Sequence, residues 1–141
     1  MTAEIQHELK IKALPERVFE ALTTAQGLMS WHSAHVEAVG AGGQVWRFAH
    51  TGGPTFRWQV IEHSAPHSVT WRCLEGPGDS VGTTVSFRLS KADDGRTLTE
   101  LAHAGWPGTH GNFRKCNTYW GALLHHLRQY VETGAPCPVF A

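Results

Sequence analysis

Ten of the 141 residues are histidines and three are cysteines, the side chains best able to do chemistry near neutral pH. An imidazole can pass a proton or orient a ligand. His103 follows Thr99 and Leu101 at even spacing, so strand alternation points all three the same way, inward. An inward imidazole can orient a ligand, act as acid or base, or sit satisfied in a core. His32 and His35 follow Trp31 and share a face only in a turn. His125 and His126 are neighbours on a helical segment, so their side chains diverge by about 100°. No H-E-x-x-H occurs and no three-ligand cluster can be read from spacing, so no metal site is expected.

The cysteines, Cys73, Cys116 and Cys137, are odd in number and include no C-x-x-C pair. They read as small apolar fillers in a reducing, cytoplasmic setting. Glu75 with Asp79, and Asp93 with Asp94, read as solvated hairpin residues. Glu62 and Glu100 fall in strands, Glu100 on the exposed face. There is no G-x-S-x-G elbow, no P-loop lysine and no dinucleotide fingerprint. The glycine runs Gly40 to Gly43 and Gly52 to Gly53 sit between strands, where turns account for them. No catalytic residue is assigned and no cofactor is expected.

Composition narrows the classes further. Hydrophobic residues make up 41% and charged residues 17%, a globular balance. Twelve basic and twelve acidic residues cancel, which does not suit a nucleic-acid surface. The histidines make the chain more cationic as pH falls through about 6.5. No stretch approaches the roughly 20 apolar residues that cross a bilayer, and Met1 to Lys12 lacks the apolar run of a signal peptide. No membrane partner is expected, and residues 1–141 are read as one domain, a monomer or a homodimer.

The positioning elements follow from periodicity. Ile5, His7, Leu9 and Ile11 alternate with polar residues, the pattern of a half-buried strand. Pro15 opens a short helix with Val18, Phe19 and Leu22 on its apolar face. Gly27 interrupts, and Leu28, Met29 and Trp31 form a second short helix. Strands follow at Val36–Val39, Gln44–His50, Thr55–Ser64, Val69–Cys73, Thr83–Ser90 and Thr97–His103, with Asp94-Gly95 a strong hairpin signal. This spacing predicts an antiparallel meander. A long helix closes the chain from Asn112, read as its N-cap, to Thr133, with Gly134 and Pro136 as stop signals. Phe113, Cys116, Trp120, Leu123, Leu124, Leu127 and Val131 mark its apolar face.

That order resembles the helix-grip fold of the SRPBCC (START-like, Bet v-like) superfamily. The resemblance implies an α+β fold: an antiparallel curved sheet of about six or seven strands wrapped on a long C-terminal helix, with two short helices after the first strand. Leu14-Pro15-Glu16-Arg17-Val18-Phe19-Glu20-Ala21-Leu22-Thr23 resembles the family's opening helix, and Gly27-Leu28-Met29-Ser30-Trp31-His32 its next segment. Val69–Cys73 and Gly82–Phe87 are similar to two middle strands. His103-Ala104-Gly105-Trp106 and the Trp120 helix are similar to the closing pattern. Within the superfamily the chain is most similar to the Aha-type branch, homologues of the activator of heat-shock-protein ATPase. Those activators carry a separate chaperone-binding domain for which this chain has no room.

The resemblance implies a cavity between sheet and long helix, open at one end. Alternation pairs Trp46 with Phe48, and Phe56 with Trp58 and Val60, on like faces; Val69 with Trp71 and Val85 with Phe87 follow the same rule. If those faces point inward, the sheet walls are Trp46, Phe48, Phe56, Trp58, Trp71 and Phe87, and the helix supplies Phe113 and Trp120. Trp31, His32, His103 and Trp106 complete the expected ligand-binding set. The same rings can also simply fill the core. A cavity lined only by Trp and Phe favours a binding protein for a small apolar or aromatic molecule. An inward His103 beside a second polar cavity group, with water access, favours an enzyme of the polyketide cyclase/dehydratase or hydrolase type. A chaperone-associated role predicts an exposed apolar patch instead.

Overall fold

The computed structural model describes residues 2–40, 42 and 44–139. Strand β1 (Ala3–Ile11) buries Ile5 and Ile11. Pro15 occupies the first turn of α1 (Pro15–Thr23), where a missing N–H costs nothing. Helix α2 (Ala25–Trp31) follows at once, capped by Thr24 Oγ1, which accepts from the Gly27 N–H at 3.0 Å. Gly27 is the point of contact between the two helices. A Cβ there would lie 2.7 Å from Ala21 Cα and 2.9 Å from the Glu20 carbonyl oxygen.

Six strands then meander: β2 (Ala34–Val39), β3 (Val45–His50), β4 (Thr55–Ser64), β5 (Ser68–Glu75), β6 (Thr84–Lys91) and β7 (Thr97–Trp106). β1 pairs with β7, so the antiparallel sheet runs β1-β7-β6-β5-β4-β3-β2. The long helix α3 (Asn112–Thr133) packs on β1, α1 and α2. It buries Trp120, Leu123, Leu124, Leu127 and Val131 and ends at Gly134 in the left-handed conformation, φ 77°. The β6–β7 hairpin turns at Gly95, φ 85°, with the Asp94 carboxylate accepting from the Arg96 backbone and guanidinium. This is the α+β helix-grip architecture, with seven strands.

Three local expectations change. Asn112 is the first helical residue of α3 rather than its cap; Gly111, φ 63°, precedes it. Its side chain instead donates to the Pro77 carbonyl at 3.2 Å and Asp79 Oδ1 at 3.0 Å, fastening α3 to a 3-10 turn at Gly78–Ser80. Asp79 is therefore a tethering residue. Strand β7 continues past His103 to Trp106, with Gly105 at φ 92°, a backbone conformation that favours glycine. Ile61 and Leu74, beside the register shifts of β4 and β5, stand on the outer face as strand alternation places them, 42% and 39% exposed. Met1, at the start of the expected first strand, and Ala41 and Gly43 of the glycine turn lie outside the described residues.

Candidate ligand cavity

A cavity of about 600 Å³ lies between the sheet and α3. Register sets its sheet wall: Phe48 on β3 stands opposite Phe56 on β4, and Trp71 on β5 stands opposite Val60, which shares that face outside the cavity. Side chains at these pairs share one face. Phe56 and Trp58 stack with centroids 5.6 Å apart and planes 2° from parallel. Trp71 continues the ladder, 6.1 Å from Trp58 and 6.2 Å from Phe48. Gly76 makes room for this stack, since a Cβ there would meet the Phe56 ring at 2.9 Å. Cys116, Tyr119, Trp120 and Leu123 close the helix side, and Thr51 to Pro54 form part of the rim.

The tail after α3 supplies one more wall residue. The Cys137 N–H donates to the Ser30 carbonyl at 2.7 Å, and the Val139 N–H donates to the Trp31 carbonyl at 3.3 Å. His126 Nδ1–H donates to the Cys137 carbonyl at 2.7 Å. Val139 is thereby held against the cavity.

His103 lines the cavity with both ring nitrogens occupied. Trp120 Nε1–H donates to His103 Nδ1 at 3.0 Å. An indole N–H can only donate, so Nδ1 is the acceptor and the proton of the neutral ring lies on Nε2. That N–H donates to Thr83 Oγ1 at 2.8 Å, and the Thr83 hydroxyl donates to the Ser80 carbonyl at 2.6 Å. Burial pushes the His103 pKa down to about 4. Of the roles open to this residue, the geometry is that of a satisfied histidine joining β7 to α3.

His32 is different. Its Nδ1–H donates to the Leu28 carbonyl at 2.9 Å, and a carbonyl can only accept, so Nε2 is the unprotonated nitrogen. The residue is 5% exposed, with its ring centroid 3.9 Å from Trp31 and 4.9 Å from Phe48. Desolvation lowers its pKa to about 3, against the raising effect of the Leu28 bond; nearby His50 lowers it further. His50 is also lowered by burial. The His50 side chain makes no hydrogen bond among the described residues, and its centroid is 6.5 Å from that of His32.

Of the twelve expected binding residues, His32, Phe48, Phe56, Trp58, Trp71, His103 and Trp120 line this cavity. Five stand elsewhere. Trp31 is fully buried and donates Nε1–H to the Ala21 carbonyl at 3.0 Å, fixing α2 to α1. Phe87 is sealed between Trp31, Trp71 and Trp120. Trp106 is fully buried, and Phe113 packs edge-on against it at 6.1 Å. Trp46 shares the inner face of β3 but lies beyond the cavity, across from Trp58. His35 is exposed on β2, beside Glu37.

Sequence reading missed His50, although it continues the Trp46–Phe48 alternation. Cys116 and Leu123 were placed on the apolar helix face but not in a site. Tyr119, Ser80 and Val139 carried no local signal. Ser80 Oγ and Trp71 Nε1 are buried without a hydrogen-bond partner. Burial raises the Cys116 and Cys73 thiols to about 11. Among the described residues no cluster of three or more His, Cys, Asp or Glu could hold a metal. Among them, too, no helix is long and apolar enough to cross a membrane.

Comparison with known proteins gives two kinds of match. A family model described as polyketide cyclase / dehydrase and lipid transport matches residues 2–132. Among solved structures, the Aha1 dimer from Colwellia psychrerythraea is 30% identical, with 94% of this chain and 98% of that one covered and a TM-score of 0.82. DynU16, a protein of the dynemicin biosynthetic locus, is 22% identical with a TM-score of 0.75; 94% of this chain is covered and 48% of DynU16. Bacillus halodurans protein BH1534 is 23% identical, with 92% and 97% covered and a TM-score of 0.70. The last two likenesses are of fold alone. No curated protein matches.

Proposed function

The chain belongs to the polyketide cyclase/dehydrase and lipid transport family, in the Aha-type branch of the SRPBCC superfamily, and from that premise we propose that it binds a small apolar or aromatic molecule. The observation that carries this reading is the cavity of about 600 Å³ walled by Phe48, Phe56, Trp58, Trp71 and Trp120. Its size and mostly apolar surface, with imidazole, hydroxyl, amide and lysine side chains among the lining, are those of a small-molecule site. His103 supports binding over catalysis, because both of its nitrogens are engaged within the protein. We take residues 1–141 to act as one domain in the cytoplasm, where the three free cysteines stay reduced. The Colwellia protein is a dimer; a monomer and a homodimer are both compatible with a cavity contained in one chain.

The test is native mass spectrometry together with intrinsic tryptophan fluorescence across a library of apolar aromatic metabolites. Binding predicts a one-to-one mass increment and a shift in emission from the wall tryptophans. If no compound changes either signal, the reading fails.

A second reading, an enzyme of the cyclase/dehydratase or hydrolase type in the same cavity, draws on the unpartnered imidazole nitrogens of His32 and His50. It predicts that a bound polyketide-like ligand is recovered chemically changed. A chaperone-associated role has less support: the large apolar side chains that are exposed, Leu14, Ile61, Leu74, Val81 and Tyr119, belong to five different segments.

A further inference from the structure

The polar part of the cavity wall is unevenly committed. His103 has no free nitrogen, and Ser80 Oγ and Trp71 Nε1 are sealed from solvent. His32 retains an acceptor. The Leu28 carbonyl holds its proton on Nδ1, and the packed rings of Trp31 and Phe48 keep the imidazole from turning over. Nε2 therefore presents a lone pair from a ring that lines the cavity. His50, also on the wall, has both nitrogens uncommitted and can offer an N–H.

Their separation suits one shared atom. An oxygen about 2.8 Å from a nitrogen of each ring would sit about 4 Å from each centroid. Centroids 6.5 Å apart then subtend roughly 110° at that oxygen, close to the angle a hydroxyl group prefers. A hydroxyl donates once and accepts twice, so it can donate to His32 Nε2 while accepting from His50. A carboxylate cannot donate to Nε2, and an ether cannot either.

We propose that His32 and His50 form a recognition pair for a phenolic or enolic hydroxyl, so that the cavity selects aromatic ligands bearing one hydroxyl donor. This rests on the cavity being a ligand site. Lys115, the charged residue of the lining, is the competing anchor and would favour a carboxylate.

The test is isothermal titration calorimetry at neutral pH with 2-naphthol, 2-methoxynaphthalene and 2-naphthoate. The expected order is naphthol tighter than its methyl ether by about tenfold, the worth of one good hydrogen bond in a dry site, with naphthoate weakest. His32→Asn keeps a donor for the Leu28 carbonyl but withdraws the Nε2 acceptor; His50→Phe keeps the ring and loses no protein hydrogen bond. Each variant is expected to lose most of the preference for naphthol over the methyl ether, with naphthol affinity falling further than ether affinity, since the ether can accept from His50 but cannot donate to His32. If His32→Asn does not fold, His50→Phe decides. Equal binding of naphthol and ether, a preference that survives in the variants, or naphthoate binding tightest overturns the proposal while leaving the cavity a binding site. No binding by any of the three overturns the proposal and counts against the binding reading as well.

Discussion

Trp120 on α3 donates its indole N–H to Nδ1 of His103 on β7 at 3.0 Å, and this bond fixes which nitrogen of the histidine carries the proton. Replacing Trp120 by Phe removes the donor and leaves a buried acceptor. The expected loss is about 1–3 kcal/mol from the unsatisfied group, with a further cost from lost packing, read as a lower urea midpoint. Nδ1 is then free to take a proton, so His103 should titrate closer to 6.5 in an NMR pH series. An unchanged titration would mean that burial alone, and not the indole bond, holds the ring neutral.

Acid should weaken the fold well before the carboxylates titrate. His103 and His32 are held neutral in the folded state, with pKa values near 4 and 3, while in the unfolded chain each takes up a proton near 6.5. The unfolded state thus binds more protons between those values. Stability is full above about pH 6.5 and falls as pH drops toward 4, by on the order of 1 kcal/mol per pH unit for each group. Urea unfolding at pH 7, 6 and 5 measures this slope; a flat profile contradicts it.

Gly27→Ala should be costly although alanine is the better helix former. The added methyl meets Ala21 Cα at 2.7 Å and backbone that cannot yield. Overpacking of this kind costs about 1–3 kcal/mol, and differential scanning calorimetry should show a clear fall in Tm.

Leu123→Phe places extra volume at the cavity wall. Any ligand identified by the library screen should lose about tenfold in affinity, while stability changes by less than about 1.5 kcal/mol, because the new ring has space to enter. Retained affinity would place the ligand elsewhere.

Thiol labelling offers a test of occupancy without mutation. Burial holds Cys73 and Cys116 protonated, with pKa values near 11, so iodoacetamide at pH 8 should modify both slowly. Cys116 lines the cavity and Cys73 does not. A cavity ligand should therefore slow labelling at Cys116 and leave Cys73 unchanged, as followed by peptide mass spectrometry.

How far the chain could be read in advance differs by element. The Pro15 helix start, the Gly134 stop, the Asp94-Gly95 hairpin and the alternating strands rest on local backbone chemistry, and all were visible in order. Asn112 misled because capping preference is a local statistic, while its side chain was claimed by Pro77 and Asp79, over thirty residues away. Phe87 and Phe48 are equivalent to alternation, both inward on a strand. Only the curvature of the sheet and the placement of α3 seal the first in the core and open the second to the cavity.

What the sequence by itself determined was the order of elements and which aromatic side chains share a strand face, because these depend on periods of two and 3.6 and on turn residues read along the chain. The helix-grip architecture followed from the resemblance of that order and its motifs to the SRPBCC superfamily. The tertiary structure alone decided which imidazole was spent. His32 and His103 are the same side chain, but one has its Nδ1 proton held by a carbonyl one helical turn away and the other has Nδ1 filled by an indole from another element. A proton's position on a ring is set by the partner that faces it, and that partner is known only once the chain has folded.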